Sequence, residues 1–280
     1  MNWKYCQENS DQILSAGLKM LIENKKNNFD ETCENCYGNY LITDTTGNWS
    51  YTGEGKNLAK RLKQHSKERT STFFKNYLKA NRLSKILKLG DFNFRIIPTA
   101  IGRKELEEFT IVNYPTNLNN FQKGKRNKIL IKADKKLWTN IQENSAEIIK
   151  QGEKEFAKIR NSNWSSAQIM PGAGIYWIEH KKDGHIYIGE SSDVSKRHLT
   201  HSGKTYFSAV RRNLGETILE FKLQTIKGKK RYFSDNEDEK VNKYLKDCTI
   251  KTMPISFGRF ELEEYLIKKH KPVLNRKENK

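Results

Sequence analysis

The chain has 280 residues, with 52 Lys and Arg against 33 Asp and Glu, a formal charge of +19, and 35% hydrophobic residues, 11% of the whole being aromatic. That length accommodates two domains of ordinary size, and the clustering of the apolar residues argues against a disordered polymer. No apolar run approaches the ~20 residues of a membrane span, the opening Met-Asn-Trp-Lys-Tyr-Cys lacks the apolar core of a signal peptide, and the excess of cations points first to nucleic acid.

Residues 1–36 read as an N-terminal helical arm. Asp11 to Asn24 is predicted helical, capped by Ser10 or Asp11, with Leu14, Leu18 and Leu21 on one packing face. The cysteines are Cys6, Cys33, Cys36 and Cys248. Cys33-x-x-Cys36 has no second ligand pair, so it is a weak zinc signal, and reduced thiols of a cytoplasmic protein are expected.

Residues 37–123 read as a first domain. Gly38 to Ile42 and Trp49 to Tyr51 flank the turn-forming Thr45-Thr46-Gly47-Asn48, a hairpin pattern. A basic helix follows from Asn57, a natural N-cap, to His65, and it puts Arg61 and His65 four apart on one face. Phe92 to Ile97 alternates like a strand. Residues 124–171 read as a largely helical linker. The basic cluster Lys123-Gly-Lys125-Arg126-Asn-Lys128 leads into it, and Leu137, Ile141, Ile148, Ile149, Phe156 and Ile159 form a broken apolar stripe.

Residues 172–280 read as a second domain. Gly174 to Ile178 and His185 to Gly189 flank Asp183-Gly184, a strong hairpin signal. The next helix, from Asp193 to His201, again spaces an Arg and a His by four, Arg197 and His201. Ile218 to Ile226 is expected to supply the third strand. An insertion near 227–247 carries Lys227-Gly-Lys229-Lys230-Arg231 and then the acidic run Asp235 to Glu239.

The strongest pattern is a duplication. Pro98-Thr-Ala-Ile-Gly102-Arg103-Lys-Glu105-Leu106-Glu107-Glu108 reappears as Pro254-Ile-Ser-Phe-Gly258-Arg259-Phe-Glu261-Leu262-Glu263-Glu264, identical at seven of eleven positions with an offset of 156. Each copy runs on to a Leu-Asn pair, ending at Asn119 and Asn275. The period is too long for a solenoid.

Gly-x-Tyr on one strand, Tyr-x-Gly on its partner, an Arg-x3-His helix, a helical Glu and a distal Asn follow one another in both copies. This order resembles the GIY-YIG nucleases. The second copy spells Gly174-Ile175-Tyr176 and Tyr187-Ile188-Gly189 in full, while the first reads Gly38-Asn39-Tyr40 and Tyr51-Thr52-Gly53. The resemblance implies an α/β (α+β) protein. It would hold two GIY-YIG domains, each a small three-stranded antiparallel sheet flanked by helices, joined by the helical linker.

The same resemblance implies hydrolysis of phosphodiesters in double-stranded DNA, leaving 5′-phosphate and 3′-hydroxyl ends. The implied catalytic sets are Tyr40, Tyr51, Arg61, His65, Glu107 and Asn119, and Tyr176, Tyr187, Arg197, His201, Glu263 and Asn275. Glu107 and Glu263 suit one Mg²⁺ per site, with Mn²⁺ able to substitute. They are preferred over neighbouring glutamates because they share a face with Ile111 and Ile267. The arginines suit phosphate oxygens. One tyrosine of each pair is expected to accept the water's proton, its pKa brought down from near 10 by cations. Lys60, Lys123, Lys125, Arg126, Lys196, Lys229, Lys230 and Arg231 are the expected DNA contacts. A restriction-type enzyme is expected, a monomer acting as a pseudo-dimer. The competing readings are a nuclease of repair, recombination or mobile elements, and a non-catalytic DNA-binding protein that retains the fold.

Overall fold

The computed structural model describes residues 1–31, 35–81, 86–119 and 132–276. The chain divides into two units, Met1–Ile148 and Ile149–Lys280. Among the described residues no helix is long and apolar enough to cross a membrane.

In the first unit, helices α1 (Trp3–Glu8) and α2 (Ser10–Glu23) precede a two-residue strand, β1 (Asn27–Asn28). The helix expected from Asp11 begins at Ser10, behind a separate short helix capped by the Asn2 side chain. Strands β2 (Gly38–Asp44) and β3 (Ser50–Gly55) form the hairpin. Helices α3 (Leu58–His65) and α4 (Thr72–Ala80) follow, capped by Asn57 and Ser71. Strand β4 (Phe92–Pro98) then returns antiparallel to β2, and α5 (Arg103–Asn113) closes the domain. The sheet order is β1-β4-β2-β3, so the arm adds a two-residue edge to the three strands expected.

Helix α6 (Lys135–Glu143) also lies in the first unit. Its Trp138 is seated on Gly17 of α2, where an added Cβ would lie 2.6 Å from the indole. The boundary between units falls within α7 (Ser145–Ala157), so the linker stretch is shared between them.

The second unit repeats the plan. Strand β5 (Ser162–Asn163), the hairpin of β6 (Gly174–His180) and β7 (Gly184–Ser191), and β10 (Cys248–Pro254) form a sheet ordered β5-β10-β6-β7. The hairpin turn is not the two-residue Asp183-Gly184 turn. His180 pairs with Gly184, leaving the three residues 181–183 as the loop, with Gly184 at φ +67°. This is the three-residue loop followed by a left-handed glycine. Helices α8 (Val194–Ser202), α9 (Ala209–Thr217), α10 (Asp235–Lys246) and α11 (Arg259–His270) complete the unit.

The expected third strand at Ile218 to Ile226 is a correction. Ile218 ends α9, and Gln224–Ile226 is β8, which pairs only with β9 (Lys229–Tyr232) in a separate ribbon. The strand matching β4 is β10, already at the offset of 156, so the inserted segment precedes the third strand. Packing explains what α10 is for. Where α4 buries Phe73, Phe74 and Tyr77, α9 has Val210, Arg211 and Leu214 at the matching turns, and Val241 and Leu245 of α10 join that core. Val210 in place of Phe73 and Leu214 in place of Tyr77 would leave a destabilising cavity if nothing filled the space.

The helices ahead of each sheet are themselves a repeat. Trp3-Lys-Tyr-Cys-Gln7-Glu8-Asn9-Ser10 matches Trp138-Thr-Asn-Ile-Gln142-Glu143-Asn144-Ser145 at five of eight positions, offset 135. The duplicated stretch therefore runs from Trp3 to Asn119 and from Trp138 to Asn275.

Candidate active site

The glycines of the paired triplets have a steric cause. Tyr40 faces Gly53 across the first hairpin and Tyr176 faces Gly189 across the second. A Cβ on Gly53 would lie 2.2 Å from the Tyr40 hydroxyl, and one on Gly189 2.4 Å from that of Tyr176. Each phenol therefore lies over a bare backbone. The altered middle residues of the first copy are bonded within the fold. Asn39 Nδ2 donates to the Arg103 carbonyl at 2.8 Å, and Thr52 Oγ1 donates to the Tyr40 carbonyl at 2.9 Å.

Helices α3 and α8 bring their histidines to these phenols. Tyr40 Oη lies 2.8 Å from His65 Nε2, and Tyr176 Oη lies 2.9 Å from His201 Nε2. The other ring nitrogen, Nδ1, meets a serine hydroxyl: Ser71 at 3.4 Å and Ser208 at 2.7 Å. Both serines also cap the following helix, accepting from Phe74 and Arg211 N–H. The sequence reading missed them. The available signal was a Ser six or seven residues after each His, opening a helix. The second tyrosines, Tyr51 and Tyr187, have ring centres 6.3 Å and 5.9 Å from those of Tyr40 and Tyr176. Arg61 Nε donates to Tyr40 Oη at 3.2 Å. Arg197 is exposed, and its charge acts on Tyr176.

Burial sets the electrostatics. It raises Tyr40 well above the ordinary phenol pKa, with Tyr51 pushing the same way and Arg61 opposing. Tyr176 is raised likewise by burial and Tyr187, against Arg197. Burial also raises Tyr51, against Arg61. The expectation that cations lower these tyrosines is thus corrected at Tyr40, Tyr51 and Tyr176, because loss of solvent outweighs the guanidinium. Burial, helped by the neighbouring arginines, lowers His65 and His201 to about 3. Both imidazoles are neutral at neutral pH, so Nε2 can accept the hydrogen bond of the tyrosine hydroxyl.

The glutamates enter from α5 and α11. Each of these helices starts at a left-handed glycine, Gly102 at φ +88° and Gly258 at φ +87°. Glu107 is buried, and burial raises its pKa while Lys104 opposes. Glu263 is half-buried, and its Oε1 accepts the Glu190 N–H at 2.9 Å. Ile267 is buried on the same helix, whereas Ile111 is only half-buried, so the shared-face argument holds better in the second copy. Each site has a further carboxylate after the Tyr-x-Gly triplet. Glu190 Oε2 accepts from Arg259 Nε at 2.8 Å, while Glu54 lies 3.8 Å from Arg103 Nη1.

These oxygens suit a hard cation, and Glu54 Oε2 is buried without a hydrogen-bond partner. Among the described residues, no three His, Cys, Asp or Glu side chains gather to hold a metal. A cation held by so few carboxylates would have to take most of its shell from water and substrate.

Asn119 and Asn275 brace the hairpins from behind. Asn119 accepts from Thr52 N–H at 2.9 Å and donates to Thr52 C=O at 2.8 Å. Asn275 does the same with Ile188, at 3.0 Å and 2.8 Å. Each holds the residue between the second tyrosine and its glycine.

The expected DNA contacts Lys60, Lys196, Lys229, Lys230 and Arg231 are exposed. Lys123, Lys125 and Arg126 lie outside the described residues, as does Cys33. Cys36 is in no disulfide with a described residue. The start of α5 has a partner that the sequence reading also missed. Gln142 Oε1 accepts from Ala100 N–H at 2.7 Å and Ile101 N–H at 3.0 Å, and Nε2 donates to the Ile101 carbonyl at 3.0 Å.

Two family models described as GIY-YIG catalytic domain match the chain, one over residues 36–119 and the other over residues 166–280. No curated protein and no solved structure matches it.

Proposed function

The chain belongs to the GIY-YIG nuclease family through both of its domains, and on that premise we propose a Mg²⁺-dependent endonuclease of double-stranded DNA, of restriction type, with two active sites in one chain. The observation that carries the reading is the buried Tyr–His–Ser chain, built twice beside an arginine and a helical glutamate.

Glu107 and Glu263 would each hold one Mg²⁺, or Mn²⁺ in its place. When bound, the ion supplies positive charge at the scissile phosphate and the departing oxygen. Arg61 and Arg197 hold phosphate oxygens through their planar forks. The attacking water gives its proton to the phenol oxygen of Tyr40 or Tyr176, and the phenol's own proton shifts to the histidine Nε2 once the negative charge of the bound phosphate has raised that imidazole's basicity above its value in the free site. No free phenolate is needed, which fits the raised tyrosine pKa values. Tyr51 and Tyr187 orient the water, and Asn119 and Asn275 keep the hairpins in place. Lys60 and Lys196, with the basic cluster Lys123, Lys125 and Arg126, hold the DNA backbone, and Lys229, Lys230 and Arg231 also face the DNA. Products carry 5′-phosphates, and a single chain serves as a pseudo-dimer.

The test uses supercoiled plasmid with Mg²⁺ and strand-specific end mapping. Wild type should make double-strand breaks, and excess EDTA should stop them. Glu107→Ala and Glu263→Ala should each nick, on opposite strands, and the double variant should bind without cutting. Cleavage that persists in EDTA overturns the metal assignment. Full double-strand cutting by Glu107→Ala with a dead Glu263→Ala overturns the two-site reading.

A further inference from the structure

The β8–β9 ribbon is the part of the second domain that its sheet and site do not require. Every residue from Gln224 to Arg231 is exposed, and the two strands pair only with each other. Between Phe221 and Ser234 there are five cations, Lys222, Lys227, Lys229, Lys230 and Arg231, and no carboxylate. The turn is formed by Lys227 at φ +49° and Gly228 at φ +71°. Two left-handed residues make the tight hairpin turn that matches strand twist. A lysine is an uncommon choice there, since Asn or Gly takes that conformation at less cost.

The ribbon is also fixed in direction. Lys229 Nζ donates to Tyr206 Oη at 2.8 Å, the Arg231 guanidinium lies 5.7 Å from the centre of the same ring, and the rings of Tyr232 and Tyr206 are 5.2 Å apart. Tyr206 sits in a 3-10 turn, Thr205–Phe207, directly after the helix that carries His201. Buried Arg211 ties that region together, donating to the His201 carbonyl at 3.4 Å, Thr205 Oγ1 at 3.1 Å and Asn242 Oδ1 at 2.6 Å. With Lys229 and Arg231 held on Tyr206, the turn residue Lys227 and the strand residue Lys230, opposite Thr225, remain to meet a partner.

The first domain has no matching length of chain. Residues 81–91 join α4 to β4, whereas residues 218–247 join α9 to β10. The DNA major groove admits a two-stranded ribbon, and lysine there donates to guanine O6 and N7. We propose that the β8–β9 ribbon enters the major groove of the substrate duplex and reads base edges through Lys227 and Lys230. Sequence recognition is then carried by the second domain, on one side of the cleavage position. The inference rests on the DNA endonuclease reading for its substrate.

Two measurements test it on the full-length chain. In the first, wild type and Lys227→Ala/Lys230→Ala are each used to select bound duplexes from a random pool without metal, and the specific-to-non-specific affinity ratio is measured. Wild type should enrich a motif, and the variant should lose it, its ratio falling about tenfold for each lysine. In the second, cut ends are sequenced after digestion with Mg²⁺. The variant should still cut, with the motif relaxed on one side only. A variant that enriches the same motif and merely binds every sequence more weakly would show that the lysines touch phosphate, and would overturn the proposal. So would a wild type that enriches no motif. A wild type that enriches a motif but never cuts would sink the nuclease reading and leave the ribbon standing.

Discussion

Lys104 Nζ lies 2.6 Å from Glu107 Oε2, one turn back on the same helix, with the Lys104 side chain 26% exposed and that of Glu107 6%. The matching position before Glu263 is Phe260, which carries no charge. The first site therefore begins with an ammonium where a cation would bind, and the second has no such group at that position. Lys104→Met should raise the metal affinity of the first site on the order of tenfold, about 1.4 kcal/mol. Mn²⁺ titration followed by electron spin resonance reads this without cleavage. In wild type, nicking of the first site's strand should need more Mg²⁺ than nicking of the other. Equal metal requirements on both strands would show that Lys104 moves aside without cost.

Stability should fall as pH drops. His65 and His201 are neutral in the fold, with pKa lowered to about 3 from the ordinary 6.5. Below 6.5 the unfolded chain takes up protons that the folded chain refuses, so folding weakens as pH falls from 6.5 towards 3. Each histidine adds about 1.4 kcal/mol per pH unit across that window. Urea midpoints measured from pH 7 to 4 should drop steeply, and His65→Gln should flatten the slope. An unchanged slope would mean that His65 is protonated in the fold.

The bare backbone beneath the phenols gives a third expectation. Gly53→Ala and Gly189→Ala place a methyl against the Tyr40 or Tyr176 hydroxyl, which buried rings cannot yield freely. Each should cost about 1–3 kcal/mol of stability. Each should also slow its own strand's nicking roughly hundredfold, through displacement of the Tyr–His pair. Strand-mapped rates beside melting temperatures check this, and slowing of both strands alike would indicate general unfolding.

Gln142 should act on one strand only. Gln142→Ala leaves two backbone N–H groups at the start of the Glu107 helix without their acceptor, a loss of about 1–2 kcal/mol. Nicking assigned to Glu107 should fall while that of Glu263 holds, and Gln142→Glu, which keeps the acceptor, should restore much of it.

What the sequence made legible was whatever depends on local spacing. The hairpins, the Arg-x3-His helices and the repeated Glu helices are set by short-range geometry, and so they carry a motif. What stayed hidden depends on chain crossing space. Ser71 and Ser208 look like ordinary caps until their hydroxyls meet a histidine. Ile218 to Ile226 is apolar enough to pass for the third strand, which would put the insertion after it. The offset of 156 at Cys248 to Pro254 would have corrected that. The direction of the tyrosine pKa shifts is not legible in a sequence, where charge is visible and depth of burial is not.

The seat of Trp138 on Gly17 has a consequence for how such a chain came about. The helix filling that notch lies not in the repeat that contains Gly17 but in the next one along the chain. A half-length chain carrying both the tryptophan and the glycine would make this contact only by lending its helix to a second copy. Joined in tandem, two such copies make within one polypeptide a contact that separate copies would make between molecules. The fragments 1–131 and 132–280, expressed together, should still recognise each other, with Trp138→Ala weakening their association.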